Sequence, residues 1–234
     1  MSAALGLSHR RRLLDAELAD RARRFAGRVL EIGALRARRG GFRPPNVGVS
    51  WLRLDIAQTE HPDVVADVQH LPVRDDSLDW VVCLEMLQYV ASPDTAVREI
   101  ARVLRPGGAT VVSVPFLHRS DGPTDRHRFT ETRVRELLAA PGLRVEHLAA
   151  QAAFFGTLAN QLRQAVAHVP NRWARWPLAA TIRPMEVALI AADRLAMVRR
   201  SPFLSSFTTG FLVVARKPGN GRDAILASEI RNTP

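Results

Sequence analysis

The sequence predicts a doubly wound, mostly parallel α/β sheet of seven strands with right-handed crossovers. Three observations carry this. Runs rich in Val, Leu, Ile and Trp recur without the alternation of a half-solvated strand, as in strands buried on both faces. Helical segments separate these runs in a βαβ rhythm. Acidic residues follow four successive strands, at the end where such sheets bind ligands.

The elements follow in order. Residues 10–26 read as a helix with Leu13, Leu14, Leu18 and Phe25 on one side and arginines elsewhere. Arg28 to Gly33 is a short strand ending at a glycine. A basic loop, 34–45, is broken by Gly40-Gly41 and Pro44-Pro45. Strands are expected at 47–54, 62–68 and 78–84. The clearest helix runs from Ser92 to Leu104. Ser92 caps it, Pro93 suits its first position, and Asp94 complements the dipole. Val97, Ile100, Ala101 and Leu104 repeat at three and four residues, so one face is buried. Arg105-Pro-Gly-Gly108 stops it. A strand at 109–116, a helix at 130–140 capped by Thr130, and strands at 143–150 and 207–216 complete the sheet.

The interval 152–206 breaks the rhythm with a helical insertion, or lid, cut by Pro170, Pro177 and Pro184. The expected organisation is an N-terminal helix (1–27), a core (28–151 and 207–218), the insertion (152–206) and a loose polar tail (219–234).

Composition narrows the class. The chain has 234 residues, 47% of them apolar, and a net charge of +10 from 33 basic and 23 acidic side chains. That excludes a disordered chain and suits one large domain. The single thiol, Cys83, excludes an internal disulfide or a cysteine-built zinc site and fits a reducing compartment. Neither a secretory signal nor a spanning segment of ~20 apolar residues stands out, so a cytoplasmic protein is expected. Of the basic residues only Lys217 is lysine. Such charge attracts phosphates, anionic lipid or nucleic acid, and it equally follows from an Arg- and Ala-rich composition. Arginines are not interleaved with aromatics as in a single-strand-binding groove, which argues against nucleic acid.

Chemistry concentrates at the strand ends. Glu31 and Gly33 end the first strand. Asp55 ends the second, about 20 residues on, where a carboxylate can accept both hydroxyls of a ribose. Asp67 ends the third and Glu85 the fourth. Each alone is also what a solvated turn or helix cap looks like; together they outline a nucleoside-sized site.

Val29-Leu-Glu-Ile-Gly33, Asp67-Val-Gln-His-Leu-Pro72, Asp75-Asp-Ser-Leu-Asp79, Leu84-Glu-Met-Leu-Gln-Tyr-Val90 and Arg98-Glu-Ile-Ala-Arg-Val-Leu-Arg-Pro-Gly-Gly108 resemble the successive signatures of class I S-adenosylmethionine-dependent methyltransferases, type 11-like. The resemblance covers residues 28–150 and 207–218 and is most specific from Asp67 to Gly108. Pro115 to Thr130 is similar to a subgroup met in polysaccharide, lipopolysaccharide and secondary-metabolite pathways. The resemblance implies a Rossmann-like sheet with its last strand antiparallel and S-adenosylmethionine as cofactor. It implies Gly33 beside the methionine part with Glu31 beneath, and Asp55 on the ribose. It also implies Asp67 on the adenine amine with Val68 beside the ring, and Cys83, Leu84 and Glu85 along the wall near the sulfonium, where packing is the other reading of Cys83 and Leu84.

One departure stands out. After Gly33 the run is Ala34, Leu35, Arg36, Ala37, without the family's alternating glycines, and a side chain at Leu35 could crowd the cofactor. The gap also argues against a dinucleotide-binding dehydrogenase, which needs its glycine fingerprint for pyrophosphate.

Methyl transfer mainly needs alignment of nucleophile, carbon and sulfur, and a hydroxyl acceptor also benefits from a base. The loop after the fifth strand offers His118, Asp125 and His127, with His118 favoured; loop-holding hydrogen bonds are the alternative role. Arg126 and Arg128 could hold an acidic substrate. The 152–206 insertion is expected to shape the pocket of a small-molecule, glycan or lipid-linked acceptor. Its seven arginines, with Trp173 and Trp176 among them, suggest contact with an anionic membrane at the inner face. A second reading is a non-catalytic methyltransferase-like protein with a degenerate cofactor loop that acts by binding a partner.

Overall fold

The computed structural model describes residues 8–33, 42 and 48–219. Leu35, Gly40-Gly41 and the tail after 219 lie outside the described residues, as do the expectations placed on them.

Seven strands form one sheet: β1 (Gly27–Ile32), β2 (Val49–Asp55), β3 (Val64–Val65), β4 (Leu78–Leu84), β5 (Leu104–Pro115), β6 (Arg144–Ala150) and β7 (Gly210–Arg216). Their spatial order is β3-β2-β1-β4-β5-β7-β6. The first five pair in parallel, and β7 runs antiparallel to both β5 and β6. The chain winds outward from β1 to β3, returns to β4 and winds the other way. The switch point lies between the ends of β1 and β4, where the crevice of such a sheet opens.

Two cores cover the two faces. On one, α2 (Pro93–Val103) and α3 (Glu131–Ala139) bury Val97, Ile100, Val134 and Leu137 against Leu30, Ile32, Val81 and Val112. On the other, α1 (His9–Ala22) sets Leu14 and Leu18 against Val29, Val82, Val111 and Leu212. The strands bury residues on both sides, so their continuous apolar runs are the mark of a covered sheet. Ser92 and Thr130 cap α2 and α3 as the sequence predicts.

Several boundaries move. The first helix stops at Ala22 rather than 26, yet Phe25 is still buried, edge-on to Trp51 and Trp80. The strand expected at 62–68 shrinks to two residues, because Asp63 turns back onto Arg53 and the Asp67 carboxylate caps a 3-10 turn at Val68–His70. The Arg105–Gly108 stop does end α2, but the chain passes directly into β5. There a register shift opposite Leu78 and Trp80 absorbs the irregularity.

The insertion comprises α4 (Phe154–Ala167), α5 (Arg172–Ala192), α6 (Ala196–Arg200) and α7 (Pro202–Ser205). Pro177 and Pro184 do not separate pieces, as expected, but lie within α5. Both sit on its exposed side, where a missing helix N–H donor is best tolerated. The opposite side holds the helix together through Ala179 and Ile182, packed on Val166 of α4, and through Glu186, paired with Arg163.

Candidate active site

Three clefts adjoin at the switch point and share Glu85. The first, about 290 Å³, runs along the ends of β1, β2 and β4 and is lined by Gly33, Asp55, Asp67, Val68, Glu85 and Tyr89. The second, about 280 Å³, lies in front of β1 and β4, between Glu31, Gly33, Leu84, Glu85, Gln88 and His118. The third, about 270 Å³, opens between α1 and α4, with Arg10, Arg11, Glu85, His118, Asn160 and Gln164 on its walls.

Gly33 follows β1 with φ +74°, in the left-handed region. A Cβ there would stand 2.7 Å from Met86 Cγ, so any other residue would strain the turn and force Met86 to shift. Glu31 Oε2 accepts from Trp51 Nε1 at 2.8 Å, which holds the carboxylate at the mouth of the second cleft. Asp55 is buried, and its Oδ1 accepts from Ala57 N at 2.8 Å; its other oxygen has no partner among the described residues. Asp67 accepts from the Gln69 backbone at 2.9 Å and from the Gln69 amide at 3.0 Å, and Gln69 in turn receives Ser92 N. Four lone-pair positions on a carboxylate leave room for a further donor at each aspartate.

Glu85 has φ +54° and accepts from Ser113 Oγ at 2.7 Å. It also forms an ion pair with the buried guanidinium of Arg10, which spends Nε on Gln151 Oε1. Gln88 is buried beside it, donating to the Glu85 carbonyl at 2.8 Å, while its own Oε1 lacks a partner among the described residues.

His118 stands between the second and third clefts, with the Gln164 amide 3.4 Å from Nδ1. Burial, then the Arg10 charge, pushes its pKa down to about 4. Its imidazole is therefore neutral and holds a lone pair at neutral pH.

Asp125 lines none of the three clefts. It forms a two-pronged pair with Arg128 at 2.6 Å and accepts from Asp121 N, and these partners hold its pKa down. Arg128 also binds three loop carbonyls, so it ties the loop rather than facing a ligand. His127 Nε2 lies 3.0 Å from the Val90 carbonyl. The loop-holding role is the one the geometry gives these three residues.

Cys83 also departs from the expected wall. It lines none of the three clefts but is fully buried in the core under α2, and burial pushes its thiol up to about 12. Leu84 and Glu85, the next two residues, do reach the clefts. Sequence reading missed Tyr89, Gln88, Arg10, Arg11 and Asn160. Tyr89 and Gln88 lie inside a quoted motif. The other three come from helices with no local mark of function.

Comparison with known proteins bears on the segment and the fold. Residues 45–112 match the family model described as "Methyltransferase domain". The chain is similar to methyltransferase GfsG of Streptomyces halstedii, 43% identical over 49 residues, which are 21% of this chain and 18% of that protein. It is also similar to a ubiquinone biosynthesis O-methyltransferase of Marinobacter nauticus, 36% identical over 64 residues, 27% of this chain and 25% of that one. It thus spans a quarter or less of the lengths of these relatives. Among solved structures, the [4+2]-cyclase SpnF has the same fold (TM-score 0.54, 22% identity, 89% of this chain and 81% of that one). So does a sarcosine dimethylglycine methyltransferase of Galdieria sulphuraria (TM-score 0.54, 15% identity, 89% and 85%). The segment 45–112 is thus similar to a methyltransferase domain, and the sheet built around it has the fold of these solved structures.

Proposed function

We propose that the protein transfers a methyl group from S-adenosylmethionine to a small-molecule, glycan or lipid-linked acceptor. The observation that carries this reading is the junction of the three clefts at Glu85. Asp55 and Asp67 stand along the first cleft, and His118 faces the two beyond it.

The residues fit this cofactor. Two buried-edge carboxylates with spare lone pairs suit the two ribose hydroxyls and the adenine amine, which all donate. Gly33 lines both the first and the second cleft, so the backbone there stands open to a ligand that spans them. The unpartnered Gln88 Oε1 and the Glu31 carboxylate suit a cationic amino group there. When bound, the cofactor supplies an electrophilic methyl on a positively charged sulfur.

The chain's own residues then position and deprotonate. A hydroxyl acceptor in the second or third cleft gives its proton to a lone pair of His118. Methylation of a neutral hydroxyl turns the oxygen into a strongly acidic oxonium. A base with its pKa near 4 would therefore be strong enough to take that proton.

Calorimetry with S-adenosylmethionine and S-adenosylhomocysteine tests the reading. Binding of both, weakened roughly tenfold in Asp55→Ala by loss of charge-assisted hydrogen bonds, is expected. No heat and no thermal shift with either ligand would favour the non-catalytic, partner-binding alternative.

A membrane-proximal acceptor is favoured by one further observation. Eight of the twelve exposed large apolar side chains among the described residues lie between Trp173 and Phe203. Neither carboxylate of that stretch is exposed: Glu186 is buried against Arg163, and Asp193 caps α4. Arginine-flanked tryptophans on such a face suit the headgroup layer of an anionic bilayer. No described helix is long and apolar enough to cross a membrane.

A further inference from the structure

The cleft between α1 and α4 contains a polar side chain that the fold itself does not explain. Asn160 is only 1% exposed, and neither its amide nitrogen nor its amide oxygen has a partner among the described residues. Unpaired buried amide groups are costly, so they persist where something else pairs them. Asn160 borders the cleft, so a ligand seated there can supply both an acceptor and a donor.

The surrounding charge specifies the acceptor group. Arg10, Arg11 and Arg163 line the cleft against the single carboxylate of Glu85. Arg10 is committed to Glu85 and Gln151, and Arg163 to Glu186. Arg11 is differently placed. It gives Asp15 only its Nε, at 2.9 Å, and it borders both the second and third clefts. A guanidinium has five N–H donors in a planar fork that matches a carboxylate or phosphate.

We propose that this cleft binds an oxyanion, a carboxylate or phosphate carried beside a hydroxyl, between Arg11 and Asn160. Arg11 and the Asn160 amide nitrogen donate to the oxyanion, and the Asn160 oxygen accepts from the hydroxyl. Naming this ligand as the methyl acceptor rests on the function proposed above; the oxyanion site does not. With its charged end held there, a hydroxylated acid presents its remaining oxygens toward His118, which borders the same cleft.

The test follows the side-chain amide resonance of Asn160, assigned by its loss in Asn160→Leu, in the full chain at constant ionic strength. Inorganic phosphate and acetate are titrated separately, and the tighter of the two identifies the source of the oxyanion. A saturable shift is expected, roughly tenfold weaker in Arg11→Gln, since one charge-assisted contact is lost. Calorimetry with S-adenosylhomocysteine on Asn160→Leu, whose side chain borders neither of the other clefts, is expected to match the parent protein. An absent shift with both anions, or an equal shift in Arg11→Gln, overturns the oxyanion site. An anion response in a protein that does not bind S-adenosylhomocysteine upholds the site and removes only its naming as the acceptor pocket.

Discussion

Gly33 and His118 show how single positions set the properties of the cleft. At Gly33 a Cβ meets both a left-handed backbone and the Met86 side chain at 2.7 Å. Gly33→Ala is therefore expected to cost about 1–3 kcal/mol in urea unfolding and to weaken S-adenosylhomocysteine binding in the same preparation. Unchanged values for both would mean that the turn is not constrained. At His118 the folded pKa lies near 4, below the ordinary 6.5, chiefly because of burial and then Arg10, with Glu85 opposing and Arg119 and Arg128 adding. Between those values the unfolded chain binds more protons than the folded one, so stability falls as the pH drops below 6.5 and levels off near 4. His118→Gln is expected to flatten this slope when urea midpoints are compared across that window. Part of the slope remains in the variant, because His9 is lowered too, by burial and Arg12. An identical slope in variant and parent would place His118 in a more solvated setting.

Among the elements, the lid depends on one carboxylate far along the chain. Ala153, at the start of α4, offers no side-chain cap, and Asp193 at the end of α5 substitutes for it. Its oxygens accept from Ala153 N and Gly156 N at 2.8 Å and from Phe155 N at 3.0 Å. A Cβ at position 156 would meet Asp193 Oδ2 at 2.5 Å, so the glycine makes the cap possible. Asp193→Ala is expected to cost about 0.5–2 kcal/mol, the usual range for a lost cap, read as a lower melting temperature. Binding of S-adenosylhomocysteine is expected to survive, since Asp193 borders none of the clefts. The same two helices bury the Arg163–Glu186 pair, with Arg12 of α1 on the same carboxylate. That links the lid to the helix that bears Arg10 and Arg11.

For the molecule as a whole, charge and exposed apolar surface coincide on the insertion. Trp173 is 76% exposed and Trp176 57%. In co-sedimentation at low salt the protein is expected to bind vesicles containing anionic lipid and to leave zwitterionic ones unbound. Binding should fall as salt screens the arginines, and the Trp173→Ser, Trp176→Ser double variant should bind several-fold less. Equal partitioning of the two proteins would show that charge alone, without insertion of the rings, drives any contact.

What the sequence determined by itself is whatever short-range chemistry encodes. The caps at Ser92 and Thr130, the α2 face, the covered strands and the carboxylates after successive strands follow from spacing within a few residues, and the sheet keeps them. The length of the third strand was not legible in this way, because Arg53 and the Asp67 cap decide it from outside the apolar run. The continuity of α5 through two prolines was hidden too, since its packing on α4 outweighs a local break. Only the tertiary structure decided that Cys83 turns into the core and that Asp125 is consumed by Arg128. It alone brought Arg11 and Asn160, 149 positions apart, to one cleft beside His118. A sheet-bound carboxylate announces itself through its strand, whereas a pocket between two helices exists only once both have packed, and no local pattern records their meeting.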